Sequence, residues 1–297
     1  FDIVRKLPDE MVSITVDHKQ QVSIRAGAAF FQITAMDSED YPELPDVNGK
    51  SGVTMPQSAL KAMISGTIFS VSENQARPIQ TGCLMEVTED SVTMVAVDSF
   101  RLARRTWHTE NAANHTLKFV VPAAGLKEIE RILEDSDEPV TFTLGDKHIL
   151  FSIGDALLVS RVLEGEFIDW RRVVPTNCGT VLTANVAELT SSIERVSLII
   201  SEKVKSPVRC VFGDNMADFR TANTIGSAHD TCSIAGNGGE LEIGFNSRYL
   251  LDALRVIPSE EVTLELQNGL SPIVFTPCDK KYDFAYMVLP VRLRSNS

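Results

Sequence analysis

Positive charge is scarce in this sequence: 28 Lys and Arg stand against 40 Asp and Glu, a formal charge of −12 over 297 residues. Affinity for a polyphosphate comes mainly from Lys and Arg displacing counterions, so this balance argues against a nucleic-acid binder. Long apolar runs are missing too. None approaches the roughly 20 residues that span a bilayer, and no signal-peptide pattern opens the chain, which reads as soluble and intracellular. The five cysteines (Cys83, Cys178, Cys210, Cys232, Cys278) are widely spaced, odd in number and without a C-x-x-C pair. That excludes a disulfide framework or a zinc site and predicts buried, reduced thiols.

Catalytic constellations are equally thin. The five histidines (His18, His108, His115, His148, His229) show no H-x-x-x-H or H-E-x-x-H spacing, and there is no G-x-S-x-G elbow, P-loop or dinucleotide fingerprint. The one glycine cluster, Gly236-Asn237-Gly238-Gly239, lacks a strand–turn–helix context and reads as a hairpin or domain loop. Asp98 ends an apolar strand and precedes Ser99-Phe100-Arg101-Leu102; a catalytic Asp is one reading, and with no second acid or metal ligand nearby the favoured one is a cap of the strand-end turn, paired with Arg101.

What is present is a repeat. Residues 53–71 read as an amphipathic helix with Pro56 in the first turn and Leu60, Met63, Ile64 and Ile68 on one stripe. Residues 181–200 do the same, with Thr183 as N-cap and Leu189, Ile193, Val196 and Ile200 inward. The starts lie roughly 127 residues apart, far beyond the short solenoid periods. A second pair follows at nearly the same offset. Residues 119–133 give a strand end and a helix with Leu126, Ile129, Ile132 and Leu133 inward; residues 243–257 give a strand end, an Asn246 cap and a helix with Leu250, Leu251, Leu254 and Ile257 inward.

Each copy then runs through three strands: VTFTL, HILFSI and ALLVSRVL in the earlier one, VTLEL, PIVF and FAYMVLPVRL in the later one. The same cadence opens the chain, where DIVRKL ends a helix before SITV, VSIRA and FFQITAM. The fold class is therefore α+β: a tandem repeat of a unit with two helices packed on an antiparallel sheet of seven or eight strands, in two complete copies plus the last part of a preceding one. The expected domains are 1–50, 51–176 and 177–297, and equal copies place roughly 70 to 80 residues upstream of Phe1.

The strand end VAVDSFRLA, the segment LEGEFIDWRRVVP and the terminal AYMVLPVRL, in this order and spacing, resemble the bacterial DNA polymerase III beta subunit family of replicative sliding clamps, across essentially the whole chain. The resemblance implies a non-enzymatic, cytoplasmic processivity factor without cofactor or metal: a head-to-tail homodimer that encircles duplex DNA, helices lining the hole. Its partners would be the DNA polymerase III catalytic subunit, the clamp loader and other clamp-binding polymerases and repair proteins, with no membrane. A heterologous interface that closes a ring fits this arrangement. By the same resemblance the partners' peptides dock in a cleft between the second and third domains; a peptide-binding adaptor that never encircles DNA would use that cleft too, and a hydrolase or transferase on the same scaffold would need an acid cluster or metal site.

Carried over by position, the partner-peptide pocket would comprise Arg77, Ser99, Phe100, Arg101, Leu102, Ile168, Arg172, Val173, Pro272, Met287, Leu289, Pro290, Val291, Arg292 and Leu293, with apolar walls and arginines at the rim. The plain alternative makes Met287–Leu293 an edge strand. DNA-facing residues would be Arg5, Lys6, Lys127, Arg195, Lys203, Lys205, Arg248 and Arg255. The dimer interface would use Phe31 and Ile33 with Leu198 and Ile199. In the five helical segments nine basic residues meet eight acidic ones, a net +1 that leaves −13 for the strands and loops of this −12 chain. Charge location thus has the sign a DNA-lining surface needs, and helices that merely mix charges would give the same count.

Overall fold

The computed structural model describes residues 1–8, 11–40, 45, 47, 52–110, 116–200 and 206–293. They fall into two compact units, residues 1–46 and 47–297. In the first, the short helix α1 (Asp2–Arg5) precedes a three-stranded antiparallel sheet of β1 (Ser13–Val16), β2 (Gln21–Ala26) and β3 (Ala29–Thr34) in that order. Its buried apolar side chains are Ile24 and Ala26 of β2, whereas Phe30, Phe31 and Ile33 on the edge strand β3 stand 40–50% exposed.

The second unit opens with β4 (Gly52–Pro56), which feeds α2 (Gln57–Ser65). Residues 53–56 are thus strand, and the helix begins one residue after Pro56. Proline suits this joint because its fixed φ fits the start of a helix and it has no N–H to leave unpaired. No side chain caps α2; instead the Gln57 and Ser58 amides donate to the Glu138 and Ser136 carbonyls, each at 2.9 Å. Strands β5 (Gly82–Val87), β6 (Ser91–Val97), β7 (Arg101–His108) and β8 (Leu117–Pro122) lead into α3 (Ala123–Ile132), again after a proline, and then β9 (Pro139–Leu144), β10 (His148–Ile153) and β11 (Ala156–Arg161) follow. The β5–β6 hairpin turns at Glu89 and Asp90. On α3, Leu126, Ile129 and Leu133 are buried, but Ile132 is exposed. Both Ile132 and Leu133 are spaced to follow Ile129 on a helix face, and the i, i+3, i+7 stripe from Leu126 selects Leu133.

The later copy starts each helix with asparagine. After β12 (Thr180–Asn185), Asn185 Oδ1 accepts the Glu188 amide at the head of α4 (Val186–Ser197), so Asn185, not Thr183, is the cap; Thr183 is in the strand. Asn246 accepts the Arg248 amide in the same way before α5 (Ser247–Leu254). Substituting such a cap costs about 1 kcal/mol. Between these helices lie β13 (Val208–Ala222) and β14 (Ser227–Phe245), and β15 (Glu261–Leu266), β16 (Ile273–Pro277) and β17 (Phe284–Val288) complete the chain.

Among the described residues this copy has six strands where seven or eight were expected. Its two longest strands stay paired through two register shifts near Asp214. The glycine cluster belongs to this irregularity and is neither a hairpin tip nor a domain loop. A Cβ on Gly238 would lie 2.2 Å from the Phe212 carbonyl oxygen, and Gly236 and Gly239 hold positive φ.

Two sheets organise the unit. One has four strands in the order β11-β10-β9-β4; the other has ten, in the order β13-β14-β12-β15-β16-β17-β7-β6-β5-β8. The join between the copies is the β17–β7 pair, Phe284↔Arg105 through Val288↔Arg101, so β17 is an interior strand rather than an edge. The row Ala96, Ala103, Tyr286 and Phe275 faces the cores that hold the four helices. The alternate residues face the other way and form a smaller cluster. Cys83, Cys210 and Cys232 are buried, while Cys178 is partly and Cys278 fully exposed. Burial pushes the Cys83 thiol up to about 12 and that of Cys232 to about 11, which keeps both protonated at neutral pH. No helix among the described residues is long and apolar enough to cross a membrane.

Candidate functional site

The face of the ten-stranded sheet turned away from the helices carries three rows read from strand register. The first is polar: Lys118, Glu86, Thr93 and Thr106, with the two threonine hydroxyls 3.1 Å apart. The second is Val120, Leu84, Val95, Arg104 and Ala285. The third is Val97, Leu102, Met287 and Val274, and it crosses the join between the copies. Over this face lies the segment 163–174, whose Phe167 is buried and whose Leu163, Ile168, Trp170 and Val174 pack on the same cluster. Burying a phenylalanine contributes roughly 1.5–3 kcal/mol, enough to hold a segment that has only one turn of 3-10 helix, Trp170–Arg172.

Of the expected pocket residues, this face brings together Leu102, Met287 and Ile168, with Arg172 and Val173 exposed on the covering segment. The Arg172 side chain is 86% exposed and its Nε lies 3.0 Å from Asp169. Arg77 is exposed at the start of the 3-10 turn Pro78–Thr81 before β5, and Pro272 is half-buried just before β16. The strand ladder continues past Val288, because the Leu289 amide donates to the Phe100 carbonyl at 2.8 Å; Val291 then donates to Gly244 at 2.8 Å. Thus Leu289–Leu293 is an extended tail laid against β14. Glycine at 244 permits it, since a Cβ there would meet the Val291 oxygen at 2.8 Å and Leu293 Cδ2 at 2.6 Å.

Arg101 is not a rim residue. Its side chain is 10% exposed, and its guanidinium donates to Asp98 (3.1 Å) and Asp252 (2.5 Å) and lies over the rings of Tyr249 (4.6 Å) and Phe69 (5.6 Å). Asp98 caps the turn as expected, its Oδ1 accepting the Phe100 and Arg101 amides. Ser99, Phe100 and Arg101 line a groove of about 530 Å3 together with Lys127, Arg248 and Tyr249, and the Phe100 ring stacks on Tyr249 at 5.7 Å. They therefore belong to a corner beside the helices.

Among the expected DNA-facing residues, several cations are already matched. Arg195 bonds Asp230, Arg255 bonds Glu194 at 2.9 Å, and Arg248 stands 4.0 Å from Asp252. Arg5, Lys6 and Lys127 are exposed and have no ion-pair partner within 4 Å among the described residues. Lys203 and Lys205 lie outside the described residues. Leu198 is 83% exposed just after α4, with Ile199 half-buried beside it, and Phe31 and Ile33 lie on an edge strand.

Sequence reasoning missed Glu86 and Asp283, which hold residues of this face, and Tyr249 and Asp252, which hold Arg101 in the corner beside the helices. A charged residue in the otherwise apolar strand GCLMEV was the available signal for Glu86. Asp283 joins the two copies by accepting from Arg104 (2.6 Å) and lying 2.8 Å from His108. Burial opposes its charge, but Arg104 and then His108 outweigh that and hold its carboxyl below the usual range. A depressed folded value contributes stability above the unfolded value of about 3.9 and loses it as pH falls through the folded value. Thermal melts between pH 5 and 3 are therefore expected to show a declining Tm that is shallower in Asp283→Asn; identical slopes would remove Asp283 from the account.

Comparison with known proteins follows this geometry. Residues 1–45, 54–169 and 171–292 match the N-terminal, central and C-terminal domains of the DNA polymerase III beta subunit. The beta sliding clamp of Staphylococcus epidermidis is 30% identical over 293 residues, covering 98% of this chain and 77% of that protein. The crystal structure of the Bacillus subtilis DNA polymerase sliding clamp aligns with a TM-score of 0.91 at 30% identity, covering 99% of this chain and 78% of that one. A Pseudomonas aeruginosa sliding clamp bound to griselimycin gives 0.91 at 29% identity, with 98% and 79% covered. The chain belongs to the DNA polymerase III beta subunit family, the sliding clamps that act as non-catalytic processivity factors in DNA replication.

Proposed function

We propose that two copies of this protein close head to tail around duplex DNA, and that the polymerase III catalytic subunit, the clamp loader and other clamp-binding polymerases and repair proteins attach through short peptides. The observation that carries this reading is the ten-stranded sheet spanning both complete copies, with helices on one face and the apolar row Val97, Leu102, Met287 and Val274 on the other. One face serves DNA and the other serves partners. Division at 1–50, 51–176 and 177–297 gives each copy of the repeat one domain. In the ring, edge strand β3 with Phe31 and Ile33 meets Leu198 and Ile199 of another copy, a heterologous contact.

Retention is topological, so phosphate contacts can be few and sequence-blind. The internal pairing of Arg195 and Arg255 suits that role, because a cation already holding a carboxylate displaces few counterions. No metal or cofactor is required, and the place of action is the cytoplasm. The test is retention on closed-circular duplex DNA after loading by the clamp loader. Cutting the circle should shorten the half-life at least tenfold; equal retention on circle and linear DNA would support an adaptor that never encircles DNA.

A further inference from the structure

Strand β5 is buried along its whole length, and its side chains alternate: Cys83, Met85 and Val87 enter the helix-side core, while Leu84 and Glu86 face the outer surface. A carboxylate in that setting costs several kcal/mol unless charge and hydrogen bonds compensate it. Glu86 has three partners, two hydrogen-bond donors and one ion-pair cation. Lys118, directly opposite on β8, lies 3.5 Å from Oε1; Arg171 Nη2 donates to Oε2 at 2.8 Å and Trp170 Nε1 at 3.3 Å. Two of the three come from the covering segment. Burial opposes ionisation, but Arg171, Trp170 and Lys118 together hold the carboxyl below its ordinary range.

We propose that Glu86 is a positioning residue for partner binding: it fixes the rotation of the turn Trp170–Arg172 and so directs Arg172 and Val173 outward toward the bound peptide. The inference rests on the cleft reading given above. Successive residues of a 3-10 turn project about 120° apart, so holding two of them determines where the third points. Trp170 and Arg171 are held by one carboxylate, and Arg172, the next residue, is 86% exposed. The indole is fixed from the side as well, with the Arg171 guanidinium 4.2 Å and that of Arg104 5.8 Å from its ring. Arg104 in turn bonds Asp283, which connects the turn to the join between the copies. Asp169 accepts the Arg172 side chain at 3.0 Å and its backbone oxygen accepts the Arg172 amide at 3.1 Å, which restricts the arginine further.

The experiment compares wild type, Arg172→Ala and Glu86→Gln in binding a synthetic peptide that carries the clamp-binding segment of the polymerase III catalytic subunit. Emission of Trp170 is followed in a Trp107→Phe background, since the chain has only two tryptophans. Arg172→Ala should raise Kd about tenfold, which tests the cleft itself. Glu86→Gln should raise Kd at least fivefold and shift Trp170 emission to the red, with Glu86→Asp recovering part of both. If Glu86→Gln does not fold, Arg171→Met replaces it with the same expected result, because it removes the tether and leaves Glu86 beside Lys118. A lowered Tm with unchanged Kd and emission would make Glu86 structural only and overturn the proposal while the cleft stands. An unchanged Kd in Arg172→Ala would overturn the cleft, and with it the role given to Glu86.

Discussion

Replacing Arg101 with methionine is expected to destabilise the second unit by about 3 kcal/mol, the range seen when one partner of a buried ion pair is removed. In a domain of this size that is a fall of roughly 6–12 °C in Tm. Methionine keeps the apolar stem, so the loss reports the guanidinium. Two carboxylates, Asp98 and Asp252, would be left without it beside two rings that now face no cation. Arg101→Lys should rescue little, because a point charge on a flexible stem cannot serve both acids in one plane and cover the rings. The triple variant with Asp98→Asn and Asp252→Asn should recover much of the loss, since no uncompensated charge then remains. If the triple variant melts no higher than the single one, the charge network is not what holds this corner.

A chain that ends at Pro290 is expected to bind the polymerase peptide about 2 kcal/mol more weakly, roughly thirtyfold, with Tm moving by no more than about 2 °C. None of Val291, Arg292 or Leu293 belongs to a buried core, so their removal opens no cavity. The tail is held to β14 by the Val291 amide and by Leu293 against Gly244, contacts that water can replace. Fluorescence anisotropy of labelled peptide and a thermal melt on the same sample would separate the two effects. An unaltered Kd, or a Tm loss as large as that of Arg101→Met, would mean the tail supports the sheet rather than the partner.

The helices were legible because their apolar stripes are local. Leu60, Met63 and Ile64, or Leu189, Ile193 and Val196, are spaced by helical geometry and all proved buried. The Asp98 turn was legible for the same reason, since donor and acceptor are two and three residues apart. What failed was set by distant chain. Arg101 finds Asp252 across 151 residues and Asp283 finds Arg104 across 179, and no local pattern announces either. Arg101 was accordingly placed at a rim when it is buried in a corner, and Met287 was weighed as an edge-strand residue when β17 is paired on both sides. Thr183 gave way to Asn185 because the strand runs two residues further than its composition indicates.

The β7–β17 pairing also bears on how the protein is made. The strand that completes one side of β7, β17, lies about 180 residues further along and is the last among the described residues, so a nascent polypeptide that has just emitted the middle copy presents Arg101–His108 as an open edge on the side that β17 later takes. Such an edge invites pairing with other chains, and three arginines of β7, Arg101, Arg104 and Arg105, supply the like charge that discourages it. The arginines that later join the two copies thus guard the strand during synthesis, until the final strand arrives to occupy it.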